Sequence, residues 1–296
     1  VLAALAVVLS GEMGHLLPAY TETFMSALGG YVVSYFPVFL LGALFGQLMA
    51  DSGAATAIAQ WIERRLGPRH AIVTVVLACA VLTHGGVSPF VVAFAIYPIG
   101  RSLFRSADIP KRLLAPAIAL GSFTFTMTAM PGTPSIQNAI PIPYYGTTTF
   151  SAPGLGLIAS ALIATIGIAW LRSRQARARA LGEGYGQHED DAEAAELAAA
   201  SSDTPNAPPP MPLLLAWLPL VLVIGINALF TYGVFPAMDL SALDQRFDGL
   251  VARQRIGLWA LIIALVTACA ALLVLRLGRW AHLQQTVNKG VLGSML

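Results

Sequence analysis

The chain has 296 residues, of which 56% are hydrophobic and 11% charged, with a formal net charge of +2. A soluble domain carries about a quarter charged residues, so the composition excludes a water-soluble enzyme, and the 17 basic residues form no patch of nucleic-acid size. Cys79 and Cys269 are too few for a disulfide framework or a zinc site, and a mean hydropathy of +0.71 points to an all-α polytopic membrane protein.

The chain opens on an apolar run without Met and stops just inside another near Val291; it reads as a piece of a longer transporter-sized protein, with no signal peptide visible. A spanning helix needs about 20 apolar residues. Residues 31–50, 152–171, 212–232 and 256–275 meet that directly. Glu12, His15 and Glu22, ahead of the first span, fall in an expected outside loop and match no metal motif. Asp51-Ser52-Gly53 ends that span and starts an expected amphipathic interfacial helix over residues 54–66.

Residues 71–100 contain no Asp, Glu, Lys or Arg. As one helix they would extend about 45 Å, too long for a ~30 Å hydrocarbon core; halved, each arm is too short to cross. The middle, Thr83-His84-Gly85-Gly86-Val87-Ser88-Pro89, is a strong interruption. Arg64, Arg65 and Arg69 precede the stretch, and Arg101, Arg105, Lys111 and Arg112 follow it. The positive-inside rule puts both ends in the cytoplasm, which predicts a re-entrant hairpin over residues 71–104 with its tip near the midplane.

Residues 113–171 lack Asp, Glu, Lys, Arg and His and lie between basic clusters, so they should cross twice. The first crossing, a discontinuous helix over 113–147, is broken at Met130-Pro131-Gly132-Thr133-Pro134-Ser135-Ile136-Gln137-Asn138. Such backbone survives at membrane depth only when buried in protein or lining a wet cavity; a simple kink or an outside loop is the plainer alternative. Residues 172–211 read as a disordered cytoplasmic linker, acidic and then Pro-rich over 187–210. Residues 212–296 hold two scaffold-type spans separated by an outside loop. In this topology 14 of the 17 basic residues are cytoplasmic.

Transporter sites are often built where half-helix N-termini point at anions near the midplane. Ser88-Pro89 and Thr133-Pro134 each read as an N-cap followed by Pro at the first helical position. Gly85, Gly86 and Gly132 allow close approach to backbone, and Thr83, Ser88, Thr128, Thr133, Ser135, Gln137 and Asn138 supply hydroxyl and amide partners. No Arg or Lys lies in either tip, so N–H groups, hydroxyls and amides would hold a small, hydrophilic organic anion. His84, the one Asp/Glu/Lys/Arg/His side chain in either broken region, could carry a proton or serve as a neutral hydrogen-bonding group. Thr124 and Thr126 read as helix-to-helix glue.

The run FLLGALFGQLMADSGAATAIAQWIERRLGPRHA, followed by MPGTPSIQNAIP, a linker, two spans and HLQQTVNKGVLGSML, resembles the gluconate:proton symporter (GntP) family of bacterial permeases, within the ion transporter superfamily. The resemblance implies inverted repeats, each with a hairpin and a broken helix, cycling by an elevator-like motion. Residues 1–171 would then be the first repeat, and a second repeat, beginning near Lys289, would be missing here. It further implies proton-coupled uptake of gluconate or another hydroxycarboxylate across the bacterial inner membrane, and a homodimer. The Pro-Gly-Thr-Pro-Ser-Ile-Gln-Asn loop departs from the more His- and Pro-rich loop of many gluconate permeases, which leaves hydroxybutyrate-, citrate- and lactate-like acids open. Coupling to Na⁺ in place of H⁺ is the alternative, and an ion antiporter or channel a more distant one. No cofactor is expected. Paired carboxylates, a His-rich metal cluster and a Gly-x-Ser-x-Gly elbow are all absent from the sequence, which speaks against a membrane-embedded enzyme.

Overall fold

A computed structural model describes residues 13–186, 211–247, 251–276 and 283–293, together with residues 5, 9–11 and 188. Glu12 and residues 187 and 189–210 of the expected linker lie outside the described residues, while residues 172–180 continue the Pro153–Ala180 helix and are not a disordered segment. The described residues are helical, with no strand among them.

Four of their helices are long and apolar enough to cross a membrane: α1 (Leu16–Asp51), and, further along, Pro153–Ala180, Leu213–Ala237 and Ala252–Leu275. Each covers, to within a residue at the start, one of the four stretches the sequence marks as a span. The start of α1 departs from expectation. Leu16 to Phe24 is helical, with a wide π-type turn over Ala19–Phe24, so His15 and Glu22 sit on or beside a helix and not in an open loop. Leu16-Leu17 and Tyr20 keep this segment apolar enough to extend the span, and Thr21 Oγ1 donates to Leu17 O, as a helical hydroxyl does.

α2 (Ala54–Leu66) forms where amphipathicity predicts it. Gly53, at φ +74°, turns the chain sharply out of α1. Ala54, Ala55, Ile58, Ala59 and Ile62 are buried on one face at helical spacing, while Arg64 and Arg65 stay exposed. Trp61 meets Trp217 edge-on at 5.9 Å between ring centroids. α3 (Ala71–His84) and α4 (Pro89–Ser106) pack against each other across a four-residue break. Their outer ends, at Arg69-His70 and at Ser106-Ala107, line one cavity together with the end of the Pro153–Ala180 helix. The core runs through α1, α2, α3 and the last two long helices, with Phe45, Leu48, Ile58, Val76, Leu82 and Leu261 fully buried.

α5 (Leu114–Phe123) packs on α3 and α4 and then breaks. Short turns at Phe125–Thr128, Ile136–Ala139 and Ile142–Tyr145 follow. α6 (Pro153–Ala180) leaves Leu155, Ile158, Leu162 and Ile166 exposed, an apolar wall suited to acyl chains. α7 (Leu213–Ala237) widens into a π-type turn over Leu229–Val234. The connection to α8 (Ala252–Leu275) holds a short helix, Ser241–Arg246, and Asp244 Oδ1 accepts the Ala252 N–H at 2.7 Å to start α8. α9 (Leu283–Gly293) lies along α1; a β-carbon at Gly290 would fall 2.9 Å from Leu44 Cα, so the two backbones are close.

Candidate functional site

α3 ends because Gly85-Gly86 cannot sustain it. Gly86 takes φ +100°, the Gly86 N–H returns to Thr83 O at 3.0 Å and the Val87 N–H to Leu82 O at 3.1 Å, the paired bonds of a glycine-terminated helix. Ser88 is extended and Pro89 occupies the first position of α4, as the sequence predicts, although the Ser88 hydroxyl makes no capping bond. The end of α3 and the start of α4 therefore meet over residues 85–88.

Three elements close on this tip with no room for side chains. A β-carbon at Gly46 of α1 would sit 3.0 Å from Ser88 N, one at Gly85 would sit 2.2 Å from Leu220 Cδ2 of α7, and one at Gly86 would sit 2.8 Å from Pro134 Cγ. The last contact joins the two broken segments that the sequence analysis treats separately.

The second segment breaks earlier than its Pro-Gly-Thr-Pro motif. The chain leaves the helix at Thr124 (φ −112°, ψ −113°), where Thr124 Oγ1 donates to Leu120 O at 2.6 Å and Thr126 Oγ1 to Gly121 O at 2.8 Å. These hydroxyls satisfy carbonyls freed at the end of α5, a local role in place of the helix-to-helix one expected. The loop is then stitched down. Gly132 N–H donates to Thr149 O at 2.7 Å, Asn138 Nδ2 to Thr149 O at 2.8 Å and to Thr133 O at 3.2 Å, and Ser135 Oγ to Met127 O at 3.0 Å. Tyr35 of α1 donates to Ile140 O at 2.7 Å.

One expectation fails here. Thr133-Pro134 does not cap a half-helix: the next helical turn starts at Ile136, behind Ser135, and lasts four residues. Pro134 has no N–H to offer, the Ser135 hydroxyl is spent on Met127 O, and Pro141 follows within a turn. Among the described residues, α4 alone presents a helix N-terminus of useful length at the junction.

Of the predicted residues, Gly86 touches Pro134, and Thr83, Gly85 and Thr133 are buried. Thr83 Oγ1, His84 Nδ1 and Thr133 Oγ1 are buried without a hydrogen-bond partner, uncommon for polar atoms in a packed interior. Gly132, Ser135 and Asn138 are committed to holding the loop, and Thr128 and Gln137 are exposed. The described residues hold no group of three His, Cys, Asp or Glu able to bind a metal ion.

Sequence reasoning misses Thr149, Asn227 and Thr231. Asn227 Nδ2 donates to Thr149 Oγ1 at 2.9 Å, and Thr231 Oγ1 to Asn227 Oδ1 at 3.4 Å. Asn227 is fully buried and lies just before the π-type turn of α7, a distortion often found at functional sites. The available signal was an amide in an otherwise apolar span.

The sequence profile described as GntP family permease matches residues 1–294. A Bacillus subtilis (strain 168) protein described as an uncharacterized transporter, YxjC, is 39% identical over 299 residues, an alignment covering 99% of this chain and 63% of that relative. The chain thus spans a little under two thirds of the length of the relative it matches. No solved structure matches the chain.

Proposed function

Since the chain belongs to the GntP family of permeases, a family of transporters, we propose that it forms part of a secondary active transporter of a small organic acid anion, gluconate or another hydroxycarboxylate, in the bacterial inner membrane. The observation that carries this reading is the junction of Gly86 with Pro134, around which Thr83 Oγ1, His84 Nδ1 and Thr133 Oγ1 are buried without partners. A carboxylate there would take hydrogen bonds from the two threonine hydroxyls and from the first N–H groups of α4, whose dipole end is positive. No Lys or Arg lies in either broken segment, so the anion would be held weakly enough to be released.

α3 and α4 act as a re-entrant hairpin, a reading supported by their outer ends sharing one cavity. With the broken segment they make up one repeat of an inverted-repeat, elevator-like carrier. H⁺ is the coupling ion, carried by His84; with Na⁺ instead, tip carbonyls and hydroxyls would coordinate the ion. The site is partnered by substrate, coupling ion and bilayer, and the carrier works as a homodimer.

The test is uptake of labelled gluconate into proteoliposomes under an inside-alkaline gradient, with unlabelled hydroxycarboxylates as competitors. Uptake collapsed by a protonophore supports proton symport, and the strongest competitor identifies the acid. Uptake that follows sodium and ignores pH would replace H⁺ with Na⁺. No uptake and no competition would overturn the acid-carrier reading.

A further inference from the structure

A basic cavity lies away from the tip, at the outer ends of α3, α4 and α6. A cavity of about 630 Å³ opens there, lined among others by Arg69, His70, Ser106, Arg172, Gln175 and Arg179. Arg172, Gln175 and Arg179 recur at three-, four- and seven-residue spacing, so they share one stripe of α6. Arg174 faces elsewhere, its guanidinium 5.1 Å from the Trp170 ring centroid.

Among the described residues of the adjoining loops, Glu183 and Asp108 are already engaged. Glu183 accepts Arg112 through two bonds of 2.7 and 2.5 Å, and Asp108 Oδ1 accepts the Tyr185 N–H at 2.8 Å. Among the described residues, Arg69, Arg172 and Arg179 face no carboxylate within ion-pair distance. Among the described residues, three guanidiniums thus meet at a roomy cavity with no carboxylate set against them.

The depth of the cavity is marked independently. Trp170, half-exposed near the end of the apolar α6, is the residue type that sits at the membrane–water boundary. Arg172 follows it by about 3 Å along the helix, at headgroup level, and Arg179 by about 14 Å, on the aqueous side of the headgroups. The bias of basic residues places this end on the cytoplasmic side, where the leaflet is anionic.

We propose that this cavity is a phosphate-binding site for the headgroup of an anionic phospholipid, whose acyl chains would lie along the exposed Leu162–Ile166 wall of α6. Arginine forks match phosphate oxygens bidentately, while the Ser106 hydroxyl and the Gln175 amide can add neutral donors. The same chemistry would take free inorganic phosphate, and the test separates the two sources. The proposal does not depend on the transport reading above.

The experiment is thermal unfolding of the purified protein in detergent at fixed ionic strength, with phosphatidylglycerol, phosphatidylcholine or inorganic phosphate added. Phosphatidylglycerol should raise the Tm by about 4 °C or more, and phosphatidylcholine should not. The R172Q/R179Q variant should lose the rise, and R174Q/R177Q, with the same charge change on the same helix, should keep it. A rise produced equally by inorganic phosphate and lost only in R172Q/R179Q would support the phosphate site and assign it to the free ion. No rise with either probe, or an equal loss in both variants, would overturn the proposal. All four arginines are exposed; should R172Q/R179Q nevertheless misfold, lipid adducts of the Arg69→Gln variant in native mass spectrometry give a second reading, and undiminished adduct formation would likewise overturn it.

Discussion

Gly86 and Pro134 touch across the junction of the two broken segments: a β-carbon on Gly86 would lie 2.8 Å from Pro134 Cγ, and Gly86 itself holds φ +100°. Only glycine meets both demands, one of the backbone and one of space. The pyrrolidine ring is not a flexible side-chain end that can swing away.

Gly86→Ala therefore tests the junction. The strained φ alone costs about 1–2 kcal/mol, and the overlap with Pro134 adds to it. The expected outcome is a lower Tm together with an uptake rate reduced about tenfold or more. Gly42→Ala on α1, where the added carbon meets nothing within 4 Å, should lower neither, since alanine is the better helix former. Normal uptake by Gly86→Ala would show that the contact is incidental to transport.

His84 is tested by its pH profile. Its Nδ1 is buried without a partner beside the tip glycines, and an imidazole is the side chain that changes charge in the physiological range. If His84 carries the coupled proton, initial uptake rises as external pH falls, and His84→Gln flattens that profile. Substrate affinity measured without a gradient should change much less. A variant that keeps the full pH response would remove His84 from the coupling step and leave it a hydrogen-bonding residue.

How much of this could be read in advance depends on the kind of signal. Charge-free runs over 152–171, 212–232 and 256–275 mark helices because the bilayer imposes their length, and the structure places long helices there. Gly85-Gly86 and Ser88-Pro89 mark the break between α3 and α4 because both dipeptides act locally on the backbone. Thr133-Pro134 is the same kind of local signal, yet it misleads: a tertiary partner, Met127 O, takes the hydroxyl of Ser135, and Pro141 stops the following turn. Thr124 and Thr126, read as glue between helices, instead cap the carbonyls of their own broken helix. Asn227 and Thr149 are 78 residues apart, and neither spacing nor composition pairs them; only the fold does.

That pair carries a prediction of its own. Thr149 O accepts the Gly132 N–H and the Asn138 amide, while Thr149 Oγ1 accepts Asn227 Nδ2. Asn227 is thus the tie between α7 and the loop that carries Thr133. Asn227→Leu strands the Thr149 hydroxyl in a buried place, at a cost of about 1–3 kcal/mol. Thr149→Val strands the Asn227 amide at a similar cost. Each variant should lower the Tm and weaken substrate binding, and the double variant should be less destabilised than the sum of the two, since the polar pair leaves together. Strict additivity would mean that the hydrogen bond does not couple the two residues.

At the far end of α1, Arg276 is buried and Nη2 donates to Ser52 O, which anchors the end of α8 to the turn that follows α1. Gln47 Nε2 and Thr286 Oγ1 donate to Asp51 at 2.9 and 2.6 Å, so α9 is tied to the same turn through the neighbouring residue. A cation at a helix C-terminus is also favoured by the helix dipole. Arg276→Met removes a charge-assisted bond worth about 1.5–3 kcal/mol, so the Tm should fall by about 3–10 °C. Arg276→Lys keeps the charge but not the reach and planarity of the guanidinium, and should recover only part of the loss. Because Arg276 bonds the Ser52 carbonyl and not a residue of the Gly86–Pro134 junction, Arg276→Met should lower stability without altering which acid competes best for uptake. A shift in substrate preference would mean that the Ser52 turn communicates with the junction, and an unchanged Tm would mean that the Arg276–Ser52 bond contributes nothing net to the fold.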